Sequence, residues 1–297
     1  MWHTLIQPIL EYAVETWGTV RWPEAERVQL ELGRMILGVA WKTASDVVRG
    51  ELGLWTMSGR FKLAVLRWWG KLVKMDRNRL CYKIYNYRRN HLREKGCWCK
   101  IVRDLLIDLN IGDIWISEEI GDLSAWGENV KSRVSAWEAR SWKERILGKP
   151  KLRVYRLLKT DLKFEEYLLE VPIYLHRREL SRFRGGTNDL RVETGRYSKE
   201  EVAERSCCIC AKGVLENEEH VLLDCFPYEP LRRKMFATIC YQTGDLYELS
   251  MMRDDRKWML DTLLGHSLSN KKHRCIVRVA VARFLYKAMK WRRRWLS

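Results

Sequence analysis

Apolar residues recur every three or four positions along much of this chain, a rhythm that predicts helices. Val28, Leu32, Met35, Ile36 and Val39 fall at helical spacing, as do Phe61, Val65, Trp68, Leu72 and Val73. Near the C-terminus, Val277, Val281, Phe284, Ala288, Trp291 and Trp295 follow one another in steps of four and three. Arg283, Lys287, Lys290 and Arg294 keep the same rhythm on another face. That segment predicts an amphipathic helix with one buried side and one cationic side. Six prolines and 18 glycines in 297 residues are too few for an all-β protein full of tight turns. The expected fold is therefore mainly α. Gly148-Lys149-Pro150 ends one helical stretch, and the residues from Arg184 to Asp189, with Gly185-Gly186 inside, read as a turn. These breaks divide the chain into a helical part (1–90), a charged helical connector (91–180) and a C-terminal module (181–297).

Charge changes the picture next. The chain carries 55 Lys+Arg against 38 Asp+Glu, a formal charge of +17, and the excess is segregated. Residues 77–103 hold nine basic groups and one acid, Glu94. Residues 104–128 hold seven acids and no base, and residues 131–159 return to ten basic groups. The last 27 residues, from Lys271, carry ten Lys/Arg and no acid. Three basic segments in a chain of this net charge point to a polyanion, bound by releasing counterions from its phosphates. A second reading is that they are solvated helix faces that partly neutralise the acidic stretch. Among the 15 tryptophans, Trp68-Trp69, Trp137 and Trp142 lie among Lys and Arg, where exposed rings would stack on unpaired bases. Core packing is the commoner use of such rings, so no single tryptophan is assigned a function. No apolar run approaches the roughly 20 residues of a membrane span, and the N-terminal residues lack the basic flank of a secretory signal. An intracellular chain, nuclear or cytoplasmic, is expected.

Nine cysteines in such a chain are expected to be reduced. Cys81, Cys240 and Cys275 stand alone and read as small buried hydrophobes, and Cys97 and Cys99 read as structural. The remaining four are clustered. Cys207 and Cys210 are separated by two residues, which turns both sulfurs toward one tetrahedral ion, and His220 and Cys225 follow. Together they predict a structural Cys3His zinc site with all four positions filled by protein and no place for an activated water. Cys208 is the spare, because substituting it for Cys207 spoils the spacing. The site's expected work is to pin a small module that presents Arg205, Arg232, Arg233 and Lys234. A buried histidine among reduced core cysteines is the other reading. Catalytic patterns are missing: there is no Gly-rich phosphate loop, no His-Glu-x-x-His and no Gly-x-Ser-x-Gly. The Asp254-Asp255 pair has neither a second acidic strand nor apolar flanks, so it does not read as a polymerase centre.

Several stretches then resemble one family, the C-terminal region of non-LTR (LINE-like) retrotransposon reverse transcriptases. Pro8-Ile9-Leu10-Glu11-Tyr12-Ala13-Val14-Glu15-Thr16-Trp17-Gly18 is similar to a segment that follows the family's palm, with Ala13 where the family usually has Gly. Leu37-Gly38-Val39 and Glu51-Leu52-Gly53 resemble its thumb pattern. Leu190-Arg191-Val192-Glu193-Thr194-Gly195-Arg196-Tyr197 resembles the stretch that leads into its zinc knuckle-like element, here Arg205, Cys207, Cys210, His220 and Cys225. The resemblance implies a thumb-like helical part followed by a zinc-pinned module. It also implies that the palm, with its Tyr-x-Asp-Asp strand, and the nuclease domains of relatives are not in this chain.

The expectation is thus a nucleic-acid-binding piece without catalysis of its own. It would grip RNA, DNA or an RNA–DNA duplex mainly by the backbone, with Arg182, Arg184, Arg191 and Arg196 beside the zinc module and the cationic face of the last helix as contacts. Arg184 and Arg191 have an alternative use as ion-pair partners of Glu193 or the acidic segment. The rival expectation is a zinc-stabilised helical scaffold that docks acidic protein partners. A degraded element copy without a selected function is a third.

Overall fold

The computed structural model describes residues 2–20, 22–93, 96–244, 255–265 and 267–297. Glu94 and Asp254 lie outside the described residues. The chain is mainly α, as the periodicity predicts. Helices of eight or more described residues are α1 (Pro23–Leu37), α2 (Ser45–Leu52), α3 (Met57–Val73), α4 (Leu80–Asn90), α5 (Trp98–Asp108), α6 (Leu123–Leu147), α7 (Tyr174–Arg184), α8 (Glu229–Thr243), α9 (Arg256–Leu264) and α10 (Lys271–Leu296). Among the described residues, β pairing is confined to two isolated bridges, Leu52 with Phe164 and Ser206 with Leu215. No helix among them is long and apolar enough to cross a membrane.

Residues divide into two compact units, each discontinuous in sequence: Met1–Leu30 with Trp55–Trp142, and Glu31–Leu54 with Lys143–Ser297. The composition-based segments, by contrast, are contiguous.

The first unit is built round an aromatic core. Trp69 and Trp126 meet edge to face at 5.3 Å, and Trp69 stacks on Trp115 at 6.0 Å. Buried indole N–H groups need acceptors. Trp69 Nε1 donates to the Tyr85 hydroxyl at 3.1 Å, which donates to Glu118 at 2.6 Å, and Trp126 Nε1 donates to the Leu66 carbonyl at 2.9 Å. Gly70 permits that approach, since a Cβ there would stand 2.3 Å from the Trp126 ring. Glu118 also pairs with Arg89 at 3.2 Å, so the acidic stretch neutralises part of the neighbouring basic one. Trp69 and Trp142 are fully buried, and Trp137 is capped by the Lys62 ammonium 3.6 Å from its ring centre. Those three rings are thereby occupied. Trp68 is only half-buried.

The second unit is organised on α10. Asn270 caps its N-terminus by accepting from Lys272 N at 2.9 Å and His273 N at 3.2 Å. Val277, Val281, Phe284 and Ala288 are buried, as the spacing predicts, and α7, α8 and α9 pack along it. Trp295 departs from the expected stripe and is exposed.

Two other readings are corrected here. Cys81 is exposed, and Cys240 and Cys275 are only partly covered, because all three sit where helix surfaces meet solvent. In α1 the apolar positions are not the core face: Val28, Met35 and Ile36 are exposed, while Ala25, Gln29, Gly33 and Leu37 are buried. Gly33 allows the close approach of a neighbour, since Val48 lies where its Cβ would be. The Leu-Gly dipeptides are helix stops. Gly38 and Gly53 adopt φ of 66° and 63°, and Leu54 N donates to the Arg49 carbonyl at 2.9 Å to close α2.

Candidate metal centre and cationic surface

A short ladder carries the first two cysteines. Cys207 N donates to the Val214 carbonyl at 2.7 Å, and Glu216 N donates to the Arg205 carbonyl at 3.0 Å. The chain between them turns through Ala211 and Gly213, both with positive φ (51° and 68°), which brings Val214 back to Cys207. A single π-type turn, His220–Asp224, carries His220, and Cys225 follows it directly. Asn217 Oδ1 accepts from His220 N at 2.8 Å to start it, and Cys225 N donates to the His220 carbonyl at 2.8 Å to end it.

The four ligand atoms lie within 4.8 Å of one another. Cys207 Sγ is 3.8 Å from Cys225 Sγ, and Cys210 Sγ is 3.4 Å from His220 Nε2. Two sulfurs bound about 2.3 Å from one tetrahedral zinc stand roughly 3.8 Å apart, and a sulfur and an imidazole nitrogen slightly closer. The donor set thus fits a metal ion and is compatible with structural zinc. The hydrogen bond between the Cys207 and Cys225 sulfurs draws Cys207 well below the ordinary thiol range and pushes Cys225 above it. Cys208 takes no part: its sulfur is exposed and accepts from Arg292 Nη2 at 3.6 Å.

Glu216, on the returning arm of the ladder, is fully buried. Its carboxylate accepts from Arg292 Nε at 3.1 Å, Arg292 Nη2 at 2.8 Å and Arg191 N at 2.8 Å. Val192 N donates to its carbonyl at 3.0 Å, so the Leu190–Tyr197 stretch is anchored to the centre through one residue. Sequence reasoning missed Glu216 and Arg292. Two partnered charges in a helix face and a polar run carry no local signal of burial.

The predicted nucleic-acid contacts fall into two groups. Most of the arginines beside the centre are already engaged. Arg184 is buried and paired with Glu51 (3.0 Å) and Glu165 (2.9 Å); burial opposes its charge, but those carboxylates outweigh it and hold its pKa above the ordinary value. A guanidinium 1% exposed does not reach a polyanion, so Arg184 is corrected to a structural residue. Arg232 is corrected likewise: it is buried and donates to the carbonyls of Leu222 (2.9 Å), Val221 (3.2 Å) and Cys225 (2.9 Å), which strap the segment carrying His220 and Cys225 to α8. Arg205 donates to the Glu200 and Val192 carbonyls. Arg182 pairs with Asp189 at 2.5 Å and Glu179 at 3.3 Å, Arg191 with Glu200 at 2.6 Å, and Arg196 with Glu193 at 2.6 Å. Arg233 is exposed and pairs with Glu229 at 2.9 Å.

The second group lies on α10. Arg283, Lys290 and Arg294 are exposed and Lys287 is half-exposed; none of the four has an ion pair among the described residues. Arg283 and Lys287 line a shallow groove with Lys234, Thr238, Leu231 and Phe284, where α8 meets α10. Burial and then the charges of Arg283 and Lys234 lower the pKa of Lys287. On the α7 side, His176 tilts against Tyr286 at 5.0 Å; burial, then Arg283 and Lys287, lower its pKa. Among the described residues, no carboxylate relieves either group. Like charges held together in this way form a ready site for an anion.

No family model, curated protein or solved structure matches the chain.

Proposed function

We propose that this chain is a nucleic-acid-binding protein of the kind found in the C-terminal region of LINE-like reverse transcriptases. It grips RNA, DNA or an RNA–DNA duplex by the sugar–phosphate backbone and performs no catalysis of its own. A structural zinc held by Cys207, Cys210, His220 and Cys225 fixes the module, and Arg292 ties α10 to it through Glu216. One observation carries the reading: Lys234, Arg283 and Lys287 crowd one groove, and the groups near Lys287 repel rather than neutralise it. Phosphates supply the missing counter-charge, and their binding releases condensed cations.

The test is binding of a labelled duplex to the wild type and to Lys234→Glu/Arg283→Glu/Lys287→Glu. Loss of at least tenfold in affinity, with unchanged melting temperature and metal content, supports the reading. Unchanged affinity refutes it.

A specific observation favours a second reading, a zinc-stabilised helical scaffold for acidic protein partners. Arg182, Arg184, Arg191, Arg196, Arg205 and Arg232 are spent on internal contacts, as a scaffold requires. Retention of a partner protein by the triple variant, together with no duplex binding by the wild type, would select it.

A further inference from the structure

A second recess lies wholly within the first unit. It is bounded by α3, α4 and α5 and encloses about 410 Å3, within the roughly 300–1,000 Å3 span of ligand-binding clefts. Trp68 and Leu72 of α3, Cys81, Ile84 and Arg88 of α4, and Trp98 of α5 line it. Trp98 is held in place by the hydrogen bond from its Nε1 to the Glu15 carbonyl at 3.1 Å. The deeper wall is apolar in character despite its sulfurs: burial pushes the Cys99 thiol up to about 12, so it stays neutral. The Tyr85 hydroxyl is turned to Trp69 and Glu118 and is not offered to an occupant. Such a wall accepts a flat ring, and the charged residue of the lining, Arg88, is exposed.

The surroundings supply the charge. From Arg77 to Arg93 the sequence contains no Asp or Glu. Arg77, Arg79 and Lys83, on α4 and the turn before it, are exposed and make no ion pair among the described residues. Ile84, which lines the recess, is 53% exposed. Aromatic walls next to a cationic track are the combination that holds single strands, with the base stacked and the phosphates on the track.

We propose that this recess is a stacking subsite for an unpaired base of single-stranded nucleic acid, entering against Trp68 and Trp98 while its flanking phosphates follow Arg77, Arg79 and Lys83. The proposal rests on the nucleic-acid reading above and adds single-strand selectivity at a different surface. Trp68 is thus the one member of the Lys/Arg-flanked tryptophan set that lines this recess.

The experiment uses the full chain and a single-stranded oligonucleotide carrying 2-aminopurine, whose fluorescence is quenched on stacking. The wild type quenches the probe, and replacing the 2-aminopurine nucleotide by an abasic one weakens binding about tenfold. Cys81→Trp, at an exposed position on the rim, fills the mouth and gives a similar loss for the single strand with duplex affinity unchanged. Trp68→Leu removes the quench. Equal affinity for the abasic and intact strands overturns the subsite, whatever the variants do, and leaves the backbone reading standing if the duplex still binds. Absence of binding by either nucleic acid overturns both readings. An acidic tryptophan-containing peptide that occupies the recess, with no quench from the oligonucleotide, overturns the base assignment in favour of a protein ligand.

Discussion

Arg292, four residues from the end of α10, places its guanidinium on the buried carboxylate of Glu216, whose Oε1 lies 3.7 Å from Cys207 Sγ. Both charges lie out of water, with the two contacts at 3.1 and 2.8 Å. Breaking such a pair from one side leaves a buried charge without its partner, which costs about 3–5 kcal/mol. Arg292→Ala is therefore expected to lower stability by that amount in urea titration, and Arg292→Met with Glu216→Leu to recover part of it. A loss below about 1 kcal/mol for the single variant would mean that the pair does not hold the helix to the module.

The metal centre makes a sharper distinction between neighbours. Wild-type protein is expected to carry one zinc per chain by elemental analysis. Cys208→Ser keeps that content, since Cys208 lies outside the cluster, whereas Cys210→Ser loses most of it and melts at lower temperature. A Cys210→Ser protein with full zinc and full stability would mean that the ligands are assigned wrongly.

Acid sensitivity follows from Asp46. Its carboxylate is buried, which opposes ionisation, but the Arg145 guanidinium at 2.7 Å and the Lys149 ammonium outweigh burial and lower its pKa. The folded protein therefore holds this proton less tightly than the unfolded chain. The stabilisation is complete above the ordinary aspartate value near 3.8 and disappears as pH falls through the lower folded value. Asp46→Asn is expected to cost about 1–3 kcal/mol at neutral pH and to flatten the acid limb of stability against pH. An unaltered acid limb would remove Asp46 from the account.

Ala13 has φ of 52°, in the left-handed region that favours glycine. It is also the position where the resembled family usually carries Gly. Relief of the Cβ strain outweighs the added freedom of the unfolded chain, so Ala13→Gly is expected to raise stability by about 0.5–1 kcal/mol. Calorimetry that finds the variant less stable would contradict the backbone geometry described for this turn.

How far the sequence carried can be read from these same residues. Helical periodicity announced α3 and α10, because the buried side of each is marked by large apolar groups. It misled in α1, where Ala25, Gln29, Gly33 and Leu37 face inward and Val28, Met35 and Ile36 face solvent. The metal cluster was legible because four ligand types at short spacing leave few other uses. The fates of the arginines were not legible. Whether an arginine pairs with a distant carboxylate, as Arg184 does with Glu51 across 133 positions of sequence, depends on tertiary packing that no local pattern encodes.

The central claim is that the cationic face of α10 meets phosphates. Its most direct test is the affinity of the wild-type chain for a duplex measured across a salt series. A backbone grip predicts that log K falls linearly with log salt, with a slope of about −3.6 or steeper if Lys234, Arg283, Lys287 and at least one further cation engage. Affinity that stays flat from low to high salt would contradict it.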